Sequence, residues 1–199
     1  MSGSTLTVCL VLSAWFVAAA LAGREGWLAA HPRPLIPCIS LGMAALALLA
    51  AHAVPSVRRL MGSLPLRLLI GLHSVRLMGV AFFVVYGRMQ IPGVFALPAG
   101  GCEIAVAISA MAIALAPLGP PRRLQLARLW NYAGLAELSA LVIGGLIFAF
   151  GEPARSMSLA RPPLSLFLTF VVPLALTTHV LLTRRLGTFD STPRVSGRR

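Results

Sequence analysis

The sequence predicts an all-α integral membrane protein, a bundle of six transmembrane helices with both termini in the cytoplasm. The 199 residues are 58% hydrophobic and 11% charged, and their mean hydropathy is +0.87. An ordinary soluble domain has about a quarter of its residues charged. Six apolar stretches reach about 20 residues, the length that a helix needs to cross the hydrocarbon core of a bilayer. Arginines gather in alternate gaps between these stretches, and this pattern sets the predicted orientation.

Prolines and glycines punctuate the gaps between the six stretches and so mark where each helix ends. The predicted spans are 5–23, 35–53, 66–86, 98–117, 124–150 and 163–182. Segment 55–65, between the second and third spans, is basic and partly apolar, so we expect it to lie along the cytoplasmic interface. Because the gaps are short, residues 1–187 are predicted to form one transmembrane domain. Residues 188–199 are predicted to be a disordered, Arg-rich cytoplasmic tail.

The distribution of arginines determines the predicted orientation. The gaps after the second and fourth spans, together with the C-terminal tail, hold eleven arginines, whereas the opposite side holds five. Cytoplasmic loops of membrane proteins are enriched in positive charge, so both termini are predicted to be cytoplasmic. The tripeptide Arg-Arg-Leu recurs at 58–60, 122–124 and 184–186, once after every second span. This spacing fits either three duplicated hairpins or three independent cytoplasmic anchors, and we favour the anchors.

The arginine content also bears on partners and cofactors. A sequence pI of about 11.7 would suit a nucleic-acid-binding protein. We exclude that class because the arginines lie between apolar stretches and follow no aromatic-basic pattern, so the lipid bilayer is the predicted partner. All 17 basic residues are arginine, and a cofactor that forms a Schiff base with lysine is therefore excluded as well.

Apart from His52, Arg67 and Arg128, which lie near span ends, five ionisable residues lie inside the predicted spans. They are His73, Arg76, Glu103, Glu137 and His179. Placing a charge at the bilayer centre costs roughly 2.5 kcal/mol or more. His73 and Arg76 are three residues apart and share one face of the third span. His179 lies near the cytoplasmic end of the sixth span, at a depth similar to that of His73. Such residues normally pair, face a cavity or take part in function.

The surroundings of the two carboxylates predict how they are placed. Alanines flank Glu103 and Glu137 on their own helix faces, which predicts that these faces pack against other helices. Glu103 is expected in the outer third of the membrane if its helix begins at Pro98, and nearer the middle if residues 94–97 are also helical. Residues 97–103 could instead form a broken helix of the kind found in transporters.

A polar and aromatic motif, Trp130-Asn131-Tyr132, lies near the cytoplasmic end of the fifth span. Tryptophan and tyrosine at such a position are typical of the aromatic belt at a membrane surface. Asn131 can cap a helix, bridge two helices or line a site, and bridging is the simplest expectation.

Four hypotheses account for the buried polar residues. In the first, Arg76 pairs with Glu103 or Glu137 for structural reasons only, since buried ion pairs can specify a fold more than they stabilise it. In the second, the residues conduct a proton, a cation or a small solute. In the third, His73 and His179 are the two axial ligands of a b-type haem. In the fourth, they form an intramembrane enzyme site, with bound metal or with glutamate and histidine as acid and base.

Transport is the function that we predict, and the residues assigned to the ion or solute are Arg76, Glu103, Asn131 and Glu137. The glutamates would carry the cation, the arginine would pair with them, and His73 and His179 would gate protons on the cytoplasmic side. The alternative is a haem- or metal-dependent redox protein or intramembrane enzyme, in which the two histidines bind the cofactor. No motif such as H-E-x-x-H or G-x-S-x-G is present, so catalytic residues and metal ligands stay unassigned. A homo-oligomer or another membrane partner stays open.

Three motifs within residues 66–186 carry a family resemblance. They are His73-x-x-Arg76, the run Phe-Ala-Leu-Pro-Ala-Gly-Gly-x-Glu at 95–103, and Trp130-Asn131 followed by Gly134 and Glu137. Together with a proline-containing final span that ends in His179, they resemble a family of small, uncharacterised bacterial multi-pass membrane proteins. The resemblance implies that the polar residues belong together in one site and that the protein lies in a bacterial inner membrane. It implies no activity, substrate or cofactor.

Overall fold

The computed structural model describes residues 3–31 and 35–188, and the elements in these two ranges are helices. Six of the helices are long and apolar enough to cross a membrane, with mean hydropathy between 1.7 and 2.2. They are Thr5–Arg24, Leu35–Ala53, Leu66–Gly87, Gly93–Leu115, Pro120–Gly151 and Leu164–Gly187. The prediction of an all-α chain with six long apolar helices is therefore confirmed. The tail predicted at 188–199 lies outside the described residues, apart from the backbone of Thr188 at the end of the last helix.

The described ranges contain ten α-helical segments, which follow one another in chain order. They are α1 (Gly3–Arg24), α2 (Leu35–Ala53), α3 (Pro55–Ser63), α4 (Leu66–Gly71), α5 (Val80–Gly87), α6 (Gly93–Leu115), α7 (Pro120–Gly151), α8 (Pro153–Ser156), α9 (Leu164–Leu166) and α10 (Val172–Thr188). The third long helix consists of α4, a 3₁₀ segment at Leu72–Gly79, and α5. The sixth consists of α9, a π-helical turn at Phe167–Val171, and α10. Both irregular stretches thus lie inside long helices that the sequence predicts as regular.

The boundaries of the fourth long helix correct the expectation for 98–117. The helix α6 begins at Gly93, after Pro92 in extended conformation, and runs through Pro98 without a break. Pro92 precedes the first residue of the helix, where the N–H that proline lacks is not needed. Pro98 is the sixth residue of the helix, so it leaves Val94 O without its usual backbone donor, yet the helix continues past it. The broken-helix alternative at 97–103 is therefore wrong. Glu103 is the eleventh of 23 residues in α6, close to the middle of the helix.

The short helix α3 occupies the segment 55–65, for which an interfacial position is predicted. It begins with Pro55 at its first turn, and none of its residues is buried. It connects α2 to α4 and also packs against α1. The basic and apolar residues of α3 are therefore available at one end of the bundle.

The packing of the long helices places the polar residues between two apolar layers. The helix α6 packs along the whole third helix and against α7, and α10 packs against α2 and α7. One apolar cluster includes Phe82, Leu138 and Phe167, and the other includes Ile70 and Leu182. On each of the third, fifth and sixth helices, the polar residue lies between members of these two clusters. The layers separate the polar residues from both ends of the bundle.

Side chains from neighbouring helices compensate for the irregular backbone of the sixth helix. The N–H of Val172 donates to Phe167 O, as in a π-helix, so Leu168 O loses its usual donor. Ser40 Oγ donates to that carbonyl at 2.5 Å. Pro173 has no N–H to offer Thr169 O, and Trp15 Nε1 donates to it at 3.1 Å. These bonds also attach α1 and α2 to the sixth helix.

Candidate functional site

The 3₁₀ segment of the third helix presents His73 and Arg76 to the interior. In a 3₁₀ helix the side chains at positions i and i+3 eclipse each other, so the two residues point the same way. Both side chains are buried, and Arg76 has no exposed surface. The expectation that they share one face is therefore confirmed. With Glu103 of α6, Asn131 and Glu137 of α7 and His179 of α10, they form what we call the polar cluster.

Arg76 forms ion pairs with both glutamates. Its Nε donates to Glu103 Oε2 at 2.5 Å, and its Nη2 donates to Glu137 Oε2. The sequence predicts a pair with one or the other, and the structure has both. Glu103 is fully buried, whereas the side chain of Glu137 keeps 14% of its surface exposed. With both carboxyls ionised and both histidines neutral, the cluster carries one net negative charge.

A chain of hydrogen bonds runs from Arg76 through His179 to Asn131. Arg76 Nη1 lies 3.3 Å from His179 Nε2, and His179 Nδ1 lies 2.9 Å from Asn131 Oδ1. Arginine has only donors, so Nε2 must accept and the ring proton lies on Nδ1, which donates to the amide oxygen. Asn131 Nδ2 in turn donates to Thr183 Oγ1 at 2.8 Å and to His179 O at 3.2 Å. Asn131 therefore bridges α7 and α10, as predicted.

His73 joins the cluster from the other side of His179. The two imidazole rings have centroids 4.2 Å apart, which confirms the prediction that they lie at the same level. His73 Nε2 bonds to Thr178 Oγ1 at 3.0 Å, while that hydroxyl also lies 3.0 Å from Leu174 O. Because the hydroxyl proton goes to a backbone carbonyl, Nε2 of His73 is the donor and its Nδ1 is an acceptor.

Two buried acceptors in the polar cluster lack a hydrogen-bond donor. His73 Nδ1 and Glu103 Oε1 have no partner among the residues that the structure describes. A buried polar atom without a partner costs free energy comparable to a lost hydrogen bond, and such atoms are rare in proteins. Both atoms have a lone pair that can accept a proton or coordinate a cation. The cluster therefore keeps two buried acceptor atoms that no described donor reaches.

Two glycines allow the helices to approach closely at the polar cluster. A Cβ at Gly79 would lie 2.5 Å from the Cβ of Glu103, so any side chain there would push α6 away from the third helix. A Cβ at Gly134 would lie 2.5 Å from His179 Cε1 and 3.5 Å from Arg76 Nη1. No sequence signal distinguishes Gly79, and Gly134 belongs to the motif that begins at Trp130-Asn131. Their function is to leave room for charged and aromatic side chains of other helices.

Trp130 corrects the aromatic-belt prediction. Its ring is buried and packs edge-on against His73, with centroids 4.8 Å apart, and lies 5.2 Å from His179. Its Nε1 donates to Val106 O at 3.1 Å, which ties α7 to α6. Tyr132, which is exposed, is the aromatic residue of the motif that faces outward. The helical spacing of residues 130 and 134, one turn apart on the same face as the buried site, is the signal that would have identified Trp130.

Open crevices border the polar cluster at both ends of its hydrogen-bonded chain. The α6–α7 crevice has a volume of about 210 Å³ and is lined by Val94, Phe95, Pro98, Ala99, Cys102, Glu137, Ala140, Leu141 and Gly144. The α7–α10 crevice has a volume of about 190 Å³ and is lined by Arg128, Asn131, Tyr132, Thr183, Leu186 and Gly187. Glu137 thus borders one crevice and Asn131 the other. The two residues are six positions apart on α7, about 9 Å along the helix axis.

The alanines beside the two carboxylates behave differently. Ala107 and Ala110, next to Glu103, are buried against neighbouring helices, as predicted. Ala133 and Ala140, next to Glu137, are exposed, so the same prediction is wrong for that face of α7. The α6–α7 crevice opens there instead of a helix contact. Glu137 owes its partial exposure to this opening.

The arrangement of the histidines bears on the haem hypothesis. Axial ligands of a haem lie on opposite faces of the macrocycle, whereas the rings of His73 and His179 contact each other directly. Their Nε2 atoms already bond to Thr178 and Arg76. This geometry does not fit a haem between the two rings, and the haem assignment stays a prediction. Among residues 3–31 and 35–188, no group of three histidine, cysteine or acidic side chains converges as a metal site would require.

Residues 34–187 match the model of a family described as a domain of unknown function (DUF8737). The chain belongs to that family. The matched region contains every residue of the polar cluster and the second to sixth long helices, and it excludes α1. No curated protein and no solved structure matches the chain.

Proposed function

We propose that the protein is a multi-pass membrane protein that transports a proton or a small cation through the polar cluster. The observation that carries this proposal is that one buried arginine forms ion pairs with two glutamates. With both carboxyls ionised, these three side chains carry one net negative charge. A net negative charge surrounded by apolar helices is costly unless a positive charge joins it. A bound proton or a cation of charge +1 would neutralise the cluster. When that ion leaves, the net negative charge of the cluster returns.

The membrane placement rests on the six long apolar helices and on the outward-facing side chains. Large hydrophobic residues are exposed along most of these helices, for example Leu10, Leu46, Leu129 and Ile147. Lipid would cover such side chains, whereas water would not. The arginine distribution supports cytoplasmic termini, and the family resemblance supports a bacterial inner membrane.

The two crevices suggest a path through the protein. In the proposed orientation the α7–α10 crevice opens toward the cytoplasm, and the α6–α7 crevice opens toward the other side. Arg76 lies between them and donates to groups on both sides, Glu137 and His179. A proton that reaches Glu137 would weaken its ion pair and release one donor of Arg76. The guanidinium could then shift toward Glu103 and His179, which would couple the two ends of the path.

The proposed roles follow from the bonds that each residue makes. Glu137 takes up the proton or cation because it is the partly exposed carboxylate. Glu103 and Arg76 form the buried ion pair that changes partners, and His73 offers a vacant acceptor next to it. Asn131 holds the ring of His179 and faces the cytoplasmic crevice.

Flux through reconstituted vesicles tests the proposal. A pH gradient or a sodium or potassium gradient is imposed, and a pH-sensitive dye or an ion-selective probe reports movement of the ion. Glu137→Gln preserves the size of the side chain and removes its charge, so flux should fall to that of protein-free vesicles while the protein stays monodisperse.

Glu152→Gln is the matched control, because Glu152 is an exposed carboxylate whose contact is with Arg155. It should transport at the wild-type rate. Wild-type flux in the Glu137→Gln protein, or no flux of protons or alkali cations in the wild type, would refute the proposal.

A further inference from the structure

A cavity with a charged lining lies at one end of the bundle, and no residue of the polar cluster lines it. Its volume is about 580 Å³, and it is formed by residues of α2, α3, α4 and α10. Its lining combines three arginines, Arg58, Arg184 and Arg185, and His52 with apolar residues that include Met61 and Leu181. Its walls therefore combine positive charge with an apolar surface.

Two of the three Arg-Arg-Leu tripeptides meet at this cavity. Arg58 comes from the first copy, in α3, and Arg184 and Arg185 come from the third, in α10. The second copy behaves differently, because Arg123 is buried and its Nη2 donates to Ala116 O at 2.9 Å. The three tripeptides are thus not equivalent anchors. The first and third copies line the same cavity, although 126 positions separate Arg58 from Arg184 in the sequence.

No acidic residue is among the described residues that line the cavity. Within the described part of the chain, the lining residues are alanine, glycine, methionine, leucine, histidine and arginine. Arg185 Nη1 donates to Leu64 O, and Arg58 Nη1 lies 3.3 Å from His52 O, so both side chains are oriented by backbone carbonyls. Guanidinium groups arranged in this way favour a ligand with phosphate oxygens, which they bind with forked hydrogen bonds.

We propose that this cavity binds the headgroup of an anionic phospholipid, with the phosphate between Arg58 and Arg184 and the start of an acyl chain against Met61 and Leu181. The lining favours a lipid over free phosphate because most of the wall is apolar. Basic pockets between helices on the cytoplasmic side of membrane proteins bind such headgroups. The inference relies on the proposed membrane placement and is independent of the transport function of the polar cluster.

Binding to the purified, delipidated protein in mild detergent tests this site. Native mass spectrometry and the thermal unfolding midpoint are recorded with dioleoyl phosphatidylglycerol, with dioleoyl phosphatidylcholine and with millimolar inorganic phosphate. Phosphatidylglycerol should bind and raise the midpoint, whereas phosphatidylcholine and inorganic phosphate should not. Equal stabilisation by inorganic phosphate would overturn the lipid proposal and show that the cavity binds a free anion. Equal binding of both lipids would show that the cavity does not recognise an anionic headgroup, which would also overturn the proposal.

The double variant Arg58→Gln with Arg184→Gln locates the site. An arginine near an anionic lipid surface contributes roughly a fivefold increase in affinity, so about 25-fold weaker binding is expected. The matched control is Arg59→Gln with Arg67→Gln, which removes the same charge from exposed positions nearby that do not line the cavity. Equal weakening in both double variants would show general electrostatic attraction and overturn the proposal.

The comparison of the two lipids on wild-type protein decides the matter even if the double variant does not fold. Glu137→Gln should bind phosphatidylglycerol like the wild type, because Glu137 does not line this cavity. A failure of transport and a failure of lipid binding are therefore distinguishable.

Discussion

Arg76 donates to three acceptors on three different helices, Glu103, Glu137 and His179. A lysine ammonium also has three donors, but only a guanidinium spreads its donors over three nitrogens in a fixed planar fork that reaches three separate acceptors. Lysine would supply a point charge in place of this fork. The residue type therefore follows from the number and the directions of its partners, and not only from the need for a positive charge.

Removal of Arg76 is predicted to destabilise the protein strongly. Arg76→Leu leaves two carboxylates without a positive partner, a loss of about 3–5 kcal/mol in the free energy of unfolding. The triple variant Arg76→Leu, Glu103→Gln, Glu137→Gln removes all three charges, and we expect it to regain most of that loss. Thermal unfolding in detergent measures both effects.

The same pair of variants distinguishes structure from function. If the polar cluster serves only to specify the fold, the neutral triple variant should behave as the wild type in every assay. Under the transport proposal it should fold and conduct no ions. A triple variant as unstable as Arg76→Leu alone would show that the charges are not the cause of the instability.

Glycines on α7 decide how close the other helices come to this element. Gly134→Ala places a Cβ against the ring of His179, and overpacking of this kind typically costs 1–3 kcal/mol. We expect the ring to move, the contacts to Arg76 and Asn131 to break, and the thermal midpoint to fall.

Gly145→Ala on the same helix is the control, because a Cβ there meets no atom within 4 Å. Alanine has a higher helix propensity than glycine, so this variant should be neutral or slightly more stable. Equal thermal midpoints for the two variants would contradict the close approach at Gly134.

The regular elements could be predicted from hydrophobicity, while the irregular ones could not. The second long helix spans Leu35–Ala53, which matches the prediction, because apolar composition and flanking prolines define both of its ends. The 3₁₀ segment Leu72–Gly79 contains no proline, and its local sequence gives no sign of tighter winding. Its geometry accompanies contacts with α6, α7 and α10, which are remote in sequence. The local pattern of hydrophobic residues therefore predicts the third long helix, but it does not predict the 3₁₀ segment inside that helix.

Over the whole molecule, the sequence could predict which residues form the polar cluster but not how they are bonded. Similar depth in different spans suggests that His73 and His179 meet, and they do. Depth alone cannot show that Arg76 bridges both glutamates or that Trp130 covers the histidines. The crevices also escape prediction, because each depends on side chains from two helices. Spacing along one helix gives no measure of the gap to the next.

Orientation in the membrane is the prediction that belongs to the whole chain. Reporter fusions after residue 187 and within the loop 88–92 measure it, because alkaline phosphatase is active outside the cytoplasm and green fluorescent protein is fluorescent within it. We expect fluorescence from the C-terminal fusion and phosphatase activity from the loop fusion. The reverse pattern would place the arginine-rich end outside and would remove the basis for the cytoplasmic lipid site.

The eight residues of the 3₁₀ segment make the third helix longer than its residue number requires. Each residue rises about 2.0 Å in a 3₁₀ helix and about 1.5 Å in an α-helix, so the segment stores about 4 Å of extra length. It is also wound by about 20° more per residue, or about 160° in total. A return to α geometry would therefore shorten the third helix and rotate its two halves, α4 and α5, relative to each other. Arg76 lies within this segment, so a change in its winding would move the guanidinium relative to Glu103 and Glu137.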